Sequence, residues 1–250
     1  MTGENPRHRA VVTGGCGDIG RAIGRRLARD GFAVTLVDLR DEAEGTAIAA
    51  STGDAVSYLR GDVTDATAMT EVVEALDRLD VVVANAGIGR SAPVLELSES
   101  EWRAHLDVNL GGAFHTAQAA ARRMVREGTP GRLLFTSSWI GSIPWPEMTA
   151  YAVSKAGIEM LAKQFARELA PHGIRANVIA PGIVKAGMAR VQLETEPAYA
   201  ARAARVIPLG ELQSVDDVAE VVSFLASPGA AYLTGTKITA DGGGSLFAFD

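Results

Sequence analysis

The segment VVTGGCGDIG (residues 11–20) decides the fold, because an apolar run there breaks into glycines and then into a helical pattern. A strand that ends in a tight glycine turn and opens a helix aims free backbone amides and the positive helix end at one spot. That arrangement suits a pyrophosphate. The segment fits this description in two registers. Read literally, Gly15-Cys16-Gly17-Asp18-Ile19-Gly20 is G-x-G-x-x-G, the dinucleotide fingerprint. Read from Thr13, it is T-G-x-x-x-D-x-G, a related signature with an acid in the place of a glycine. The register decides where phosphates lie, and whether Asp18 helps or hurts.

Asp38 closes the next apolar run, at about the 20-residue spacing where a carboxylate hydrogen-bonds an adenosine ribose diol. The same charge repels a 2′-phosphate, so NAD is expected rather than NADP. Arg40 is near enough in sequence to bind that phosphate, which keeps NADP as the alternative.

The alternation begun there continues along the whole chain. Runs starting at residues 7, 32, 55, 79, 131, 173 and 236 (RHRAVVT, FAVTLVD, AVSYLRG, LDVVVANA, GRLLFTSS, GIRANVIAP, TKITADGG) read as strands. Most are rich in Val, Ile and Leu without polar alternation, as strands covered on both faces are. Helical spacing fills residues 19–29, 41–50, 66–76, 101–126, 150–170 and 215–226. The expected fold is α/β: a Rossmann-like, doubly wound parallel sheet of about seven strands with helices on both faces. With no linker, repeat or low-complexity tract, residues 1–250 read as one dinucleotide-binding and catalytic domain. Residues 185–212 break the rhythm, with two prolines, many alanines and no strand, and read as a mobile insertion of the kind that forms lids.

Composition excludes other classes. The 250 residues are 47% hydrophobic and 22% charged, an ordinary globular balance, and the net charge of -6 argues against nucleic-acid and anionic-membrane partners. Arg25-Arg26 and Arg122-Arg123 fall on solvated helix faces. Cys16 is the single cysteine, so no intramolecular disulfide and no cysteine metal site is expected, and no metal cluster is read elsewhere. No apolar run reaches the ~18 residues that span a bilayer. The polar start MTGENPRHR has no signal-peptide core, and a cytoplasmic location is expected.

Tyr151-Ala-Val-Ser-Lys155 opens a helix and puts a phenol and an ammonium at i and i+4 on one face. A phenol with an unperturbed pKa of ~10 is a poor base, and a neighbouring ammonium favours its phenolate. Ser138 ends the fifth strand, just before the loop leading to that helix, on the crevice side of a parallel sheet.

Together, Thr13 to Gly20, the N-A-G at Asn85, Ala86 and Gly87, Asn109, Ser138, Tyr151-x-x-x-Lys155 and Pro181-Gly182 resemble the short-chain dehydrogenase/reductase family over nearly the whole chain. The resemblance implies hydride transfer between nicotinamide and a carbon bearing oxygen. Tyr151 would exchange a proton with the substrate oxygen. Lys155 would lower the Tyr151 pKa and hold the nicotinamide ribose. Ser138 would hydrogen-bond the substrate oxygen, with Ser137 the rival less favoured by the family's spacing, and Asn109 would anchor a water relay. Gly14, Cys16, Asp18, Ile19 and Gly20 would form the phosphate turn, with Asp38 on the ribose. Asp62 and Val63 would border the adenine, Asn85, Ala86 and Gly87 the adenosine ribose side, and Pro181, Gly182, Ile183 and Val184 the nicotinamide. A homotetramer through the two long helices is also implied.

Three positions depart from the family pattern. Ala84 replaces a common asparagine, Ala186 replaces a threonine that holds the nicotinamide amide, and Asp18 replaces a loop glycine. The family's other motifs select the register from Thr13. Asp18 then falls at the helix start, where it is expected to cap free amides and point away from the phosphates. The wall between Ser138 and Tyr151 carries IPWP, and the stretch TADGGGSLFAF stands at residues 239–249. Both resemble bacterial glucose 1-dehydrogenases of the family, with Trp145 stacking on a sugar face and Glu147 binding hydroxyls; the alternative for Trp145 is packing against the lid or a neighbouring subunit. The small-molecule substrate expected is thus an aldose or polyol. A 3-oxoacyl-carrier reductase, another secondary alcohol and a non-catalytic nucleotide sensor are the alternatives.

Overall fold

A computed structural model describes residues 8–195 and 197–246. Residue 7 of the first expected strand and the FAF of the ending lie outside the described residues. Seven strands form one sheet in the order β3-β2-β1-β4-β5-β6-β7, every pair parallel. They are β1 (Arg9–Thr13), β2 (Ala33–Asp38), β3 (Val56–Arg60), β4 (Val81–Ala84), β5 (Arg132–Thr136), β6 (Arg175–Pro181) and β7 (Lys237–Ala240). The connecting helices include α1 (Asp18–Arg29), α2 (Glu42–Thr52) and α3 (Ala66–Glu74) in the first half.

Successive strand residues face opposite sides, so each strand feeds two cores. Val11, Val37, Val82 and Phe135 join one cluster, while Val12, Leu36, Val83 and Leu134 join the other. Both faces being covered explains why the strands carry unbroken apolar runs. The strand order reverses between β1 and β4, and a crevice opens beyond the carboxyl ends of strands at such a point.

Three expectations are corrected. Arg123, read with Arg122 as lying on a solvated helix face, is only 4% exposed, with Nε donating to Glu127 Oε1 (2.8 Å). The second concerns the helix that carries it. The single helix expected over residues 101–126 is α4 (Glu99–His105), a π-helical stretch (Leu106–Gly111) and α5 (Gly112–Glu127). A π turn widens the helix by one residue per turn, which a 3.6-residue reading of apolar positions does not register. Gly112 at its exit lets the helix pack closely on Val63: a Cβ there would lie 2.6 Å from a Val63 methyl. The insertion at 185–212 is not irregular. It folds as α7 (Gly187–Thr195) and α8 (Pro197–Val206), and its base is closed by a bridge between Val184 and Gln213. Ala203 and Ile207 pack in a third apolar cluster with Trp139, Ile140, Met148 and Ile183. The remaining helices are α6 (Thr149–Leu169) and α9 (Val215–Ala226).

Candidate active site

The crevice is a cleft of ≈ 570 Å³ running from the α1 turn to the α7 start. β1 ends at Thr13, whose hydroxyl accepts from the backbone N–H groups of Asn85 (3.1 Å) and Ala86 (3.2 Å). Asn85 Nδ2 donates to the Thr13 carbonyl (3.0 Å), and Thr136 Oγ1 donates to Asn85 Oδ1 (3.3 Å). The ends of β1, β4 and β5 are thereby fastened at the switch point.

Gly14 makes the turn at φ +62°, and a Cβ there would lie 2.8 Å from Ala86 Cα. A Cβ on Gly20 would run into the Gly14 carbonyl, so only glycine lets α1 approach this closely. Gly15, counted as surplus by the register from Thr13, has its own constraint: a Cβ would lie 2.6 Å from Leu36 Cβ.

Asp18 corrects an expectation. The α1 N-cap is Gly17, and no side chain caps that helix. Asp18 stands one residue inside, where its carboxylate does not fold back onto the first-turn amides as an N-cap side chain does. Its Oδ2 instead accepts from the backbone N–H of Gly187 (2.9 Å), with Arg190 Nη1 at 3.5 Å. Asp18 thus ties the glycine turn to the start of α7, while still lining the cleft.

Asp38 ends β2 half-buried, with Oδ2 accepting from the Cys16 N–H (3.0 Å) and Oδ1 from the Leu39 N–H (2.8 Å). Arg40, just before α2, is paired with Glu44 in that helix's first turn. Burial, and then the Asp38 charge, push the Cys16 thiol up to about 11, so it is not a thiolate near neutrality.

Gly14, Asp18, Ile19, Gly20, Asp38, Asn85, Ala86, Gly87, Ser138, Trp145, Glu147, Tyr151, Lys155, Pro181, Gly182, Ile183 and Val184 all line the cleft. Cys16, Asp62, Val63 and Asn109 are not among the lining residues. Asp62 closes a turn onto the Thr64 N–H (2.8 Å) and hydroxyl (2.7 Å). The Val63 carbonyl accepts from His115 Nδ1 (3.0 Å), a contact with no local sequence signal.

The chemical end of the cleft is built where β5 meets α6. Ser138 is extended (φ -157°) and buried, and its carbonyl accepts from Gly141 N–H (2.9 Å) to begin a 3-10 turn. Ser137 also lines the cleft, and its hydroxyl shares its one proton between the Lys155 carbonyl (3.0 Å) and Glu159 Oε1 (3.2 Å). Lys155, only 3% exposed, donates through Nζ to the Thr136 carbonyl (2.8 Å) and lies 5.4 Å from the Tyr151 ring centroid. Burial pulls its pKa down to about 8. No carboxylate among the described residues pairs with it.

Asn109 sits on the π-helical stretch, fully buried. Its Oδ1 accepts from the Ile88 N–H (2.8 Å), and its Nδ2 donates to the Ile88 carbonyl (3.0 Å) and to Ser154 Oγ (2.9 Å). The Ser154 hydroxyl in turn donates to the Tyr151 carbonyl (2.7 Å). Both ends of the Asn109 amide are therefore committed to the loop after β4 and to α6. A Cβ on Gly87 would lie 3.2 Å from Asn109 Oδ1 and 3.4 Å from Lys155 Nζ, so both side chains end against that glycine.

On the opposite wall, Gly182 donates to the Ala240 carbonyl (2.9 Å) and to Gln213 Oε1 (3.0 Å), and a Cβ there would lie 2.7 Å from Asp241 Cα. Trp145 packs against Trp139 at 5.0 Å between ring centroids and joins the cluster under α7 and α8, as the lid-packing alternative anticipates. Glu147 is the non-glycine residue with positive φ (+63°) among the described residues, and its carbonyl accepts from Ala92 N–H (2.8 Å). Such strained positions persist where surrounding structure holds them, and they cluster at ligand sites.

A family model described as enoyl-(acyl carrier protein) reductase matches residues 16–245. The chain is 36% identical over 244 residues to the short-chain dehydrogenase/reductase eriH of Hericium erinaceus, covering 94% of this chain and 96% of that one. It is 37% identical over 248 residues to mouse (3R)-3-hydroxyacyl-CoA dehydrogenase, covering 94% and 95%. Among solved structures, a gluconate 5-dehydrogenase from Burkholderia cenocepacia, in complex with NADP and tartrate, superposes with a TM-score of 0.91 at 29% identity, covering 96% of each chain. The protein belongs to the short-chain dehydrogenase/reductase family and is an oxidoreductase acting on CH–OH groups.

Proposed function

We propose that the protein is an NAD-dependent dehydrogenase that oxidises an aldose or polyol hydroxyl, with residues 185–212 as a substrate lid on a single catalytic domain. The observation that carries the reaction is Lys155 Nζ, buried at the cleft floor between the Thr136 carbonyl and the Tyr151 ring.

The cleft fits a nicotinamide dinucleotide. Gly14, Gly20 and Gly182 line it, packed so closely on neighbouring backbone that a Cβ would clash, and α1 presents its first turn with no side-chain cap. When bound, the cofactor accepts or supplies the hydride. Tyr151 Oη takes the proton of the substrate hydroxyl, Ser138 Oγ holds that oxygen, and the Lys155 ammonium favours the Tyr151 phenolate. Asn109 fixes α6 against the loop after β4. Asp38, half-buried at the turn, receives the ribose diol, and Arg40 is engaged by Glu44 instead of being held ready for a phosphate. Trp145 and Glu147 offer a ring face and a carboxylate to a sugar.

The apolar wall of Trp139, Ile140, Met148 and Ile183, together with the hydroxyacyl-CoA dehydrogenase relatives, favours a second reading: a 3-hydroxyacyl or 3-oxoacyl thioester substrate. The groove between α5 and α6, lined by Phe114, Val125, Leu161, Phe165 and Leu169, suits the homotetramer interface. No helix among the described residues is long and apolar enough to cross a membrane, in keeping with the cytoplasmic location we propose.

The test is absorbance at the reduced-nicotinamide band with NAD or NADP and a panel of aldoses, polyols, secondary alcohols and 3-hydroxyacyl thioesters. Turnover of an aldose or polyol with NAD is expected. Turnover of thioesters alone would overturn the substrate, and turnover with NADP alone would overturn the cofactor.

A further inference from the structure

Tyr151 and Lys155 occupy one face of α6, and the next residue on that face is Glu159, a further turn along. Its side chain is 14% exposed and belongs to no step described above. Glu159 grips the segment that carries Ser138. Ser137 Oγ donates to Oε1 (3.2 Å), and Ser142 Oγ is within 3.4 Å of Oε1 and 3.3 Å of Oε2. A Cβ on Gly141 would lie 2.9 Å from Oε1, so the 3-10 turn between those serines rests directly on the carboxylate. Lys237 at the start of β7 completes the grip. Its Nζ donates to Glu159 Oε2 (3.0 Å) and to the Ser142 hydroxyl.

We infer that Glu159 is a positioning residue for the reaction, setting Ser138 against Tyr151 and Lys155 by clamping the Ser137–Ser142 turn to α6 while Lys237 holds the clamp to the sheet edge. Ser138 comes from a strand end, and Tyr151 and Lys155 come from a helix. Backbone bonds within each element do not fix the offset between them. Ser137 bridges the two elements at the Lys155 carbonyl, and Glu159 bridges them again one turn further on. A reacting group displaced by about 1 Å loses on the order of 100-fold in rate, so the clamp acts on kcat through Ser138. This inference rests on the reading of Ser138, Tyr151 and Lys155 as the catalytic set.

The test compares Glu159→Leu, Glu159→Gln, Lys237→Met and the double variant Glu159→Leu/Lys237→Met, with Tyr151→Phe measured alongside. The readouts are kcat, KM for substrate, cofactor Kd by nicotinamide fluorescence, and Tm. Glu159→Leu is expected to lower kcat roughly 10- to 100-fold with cofactor Kd unchanged. Glu159→Gln keeps an acceptor for both serine hydroxyls and is expected to stay within about threefold of the parent. The double variant removes the unpaired Lys237 charge, so its Tm is expected to recover towards the parent while kcat stays low. A role in stability alone predicts that kcat recovers with Tm. If Glu159→Leu does not fold, Ser137→Ala/Ser142→Ala releases the same clamp from the turn side and is expected to give the same kcat loss. Parent-like kcat in whichever of these two variants folds, with Tyr151→Phe inactive, overturns the clamp and leaves the catalytic reading standing. A kcat loss matched by an equal loss of cofactor affinity also overturns it. Full turnover in Tyr151→Phe overturns the catalytic reading itself.

Discussion

The two walls of the cleft are held in place by different physics. On the β5–α6 wall, Ser138, Lys155 and Asn109 are buried, and Lys155 and Asn109 meet a fixed protein partner at each polar end. On the α7–α8 wall, the tie to the glycine turn is one carboxylate, Asp18, reaching Gly187 and the exposed Arg190, with the apolar cluster of Ala203 and Ile207 beneath. The first wall has the fixed placement that the proton transfer proposed for it needs, where sub-ångström displacements matter. The second is joined by solvent-accessible links of the kind that open at small free-energy cost. On the function proposed above, chemistry and access would be divided between the walls, and each can be perturbed alone.

The largest effect is expected on the first wall. Tyr151→Phe keeps the ring beside Lys155 and deletes the oxygen proposed to carry the proton. Turnover should fall roughly 1,000-fold while cofactor binding by fluorescence titration is retained. Unchanged turnover in that variant would show that the proton leaves by another route.

Lys155 shows what that wall costs in stability. Its folded pKa of about 8 lies below the ordinary lysine value of 10.5, so between those pH values the unfolded chain binds more protons than the folded one. Stability rises with pH across that window, and the full burial penalty is present below pH 8. Lys155→Met removes the buried charge at similar volume but leaves the Thr136 carbonyl without its donor. With about 1.4 kcal/mol per pKa unit set against about 1 kcal/mol for the lost hydrogen bond, the variant should be more stable at pH 7 by about 1–3 kcal/mol, though inactive. Urea unfolding at pH 7 and pH 10.5 checks this. A gain that does not shrink at the higher pH would show that the cost of Lys155 is not protonic.

How legible each wall was in the sequence follows from the range of its interactions. Tyr151 and Lys155 are one helical turn apart, and Ser138 ends a strand, so their placement is local and a spacing argument reaches it. Asp38 was legible for the same reason, as the last residue of an apolar run beside a glycine turn. Asn109 was legible as a residue but not in its setting, because a π turn leaves the surrounding apolar periodicity almost unchanged. The helices at 187–206 were hidden by two prolines that here mark the helix edges: Pro197 opens α8 and Pro208 follows its end. Asp62 and Val63, placed at the adenine by resemblance, are engaged with Thr64 and His115 outside the cleft lining. The partner of Asp18 lies 169 residues away, and no local pattern announces it.

At the mouth of the glycine turn, Asp38→Ala removes the acceptor proposed for a ribose diol and the charge proposed to repel a 2′-phosphate. The ratio of kcat/KM with NAD to that with NADP should fall about tenfold or more, since hydrogen bonds to charged groups contribute about 1.5–3 kcal/mol. The ratio is the proper readout because Asp38 also holds the Cys16 amide, and a general loosening of the turn affects both cofactors alike. An unchanged ratio would remove Asp38 from the reading of NAD preference.

The smallest effects, and the sharpest on the difference between the walls, come from Asp18. Its carboxylate does two things: it accepts from the Gly187 amide, and it places a negative charge at the cleft where a pyrophosphate is expected, partly offset by Arg190. Asp18→Asn keeps an acceptor and deletes the charge, so α7 should stay docked while the KM for NAD falls by about two- to fivefold, the range of an exposed charge interaction. Asp18→Ala deletes both. The bond after Arg190, next to the exposed Val191, should then be cut by trypsin about two- to fivefold faster than in the parent, with no matching change in cleavage elsewhere. Equal cleavage in the parent and Asp18→Ala would mean that the apolar cluster alone holds α7. The second wall would then be as firmly built as the first, and the division of labour between them would fail.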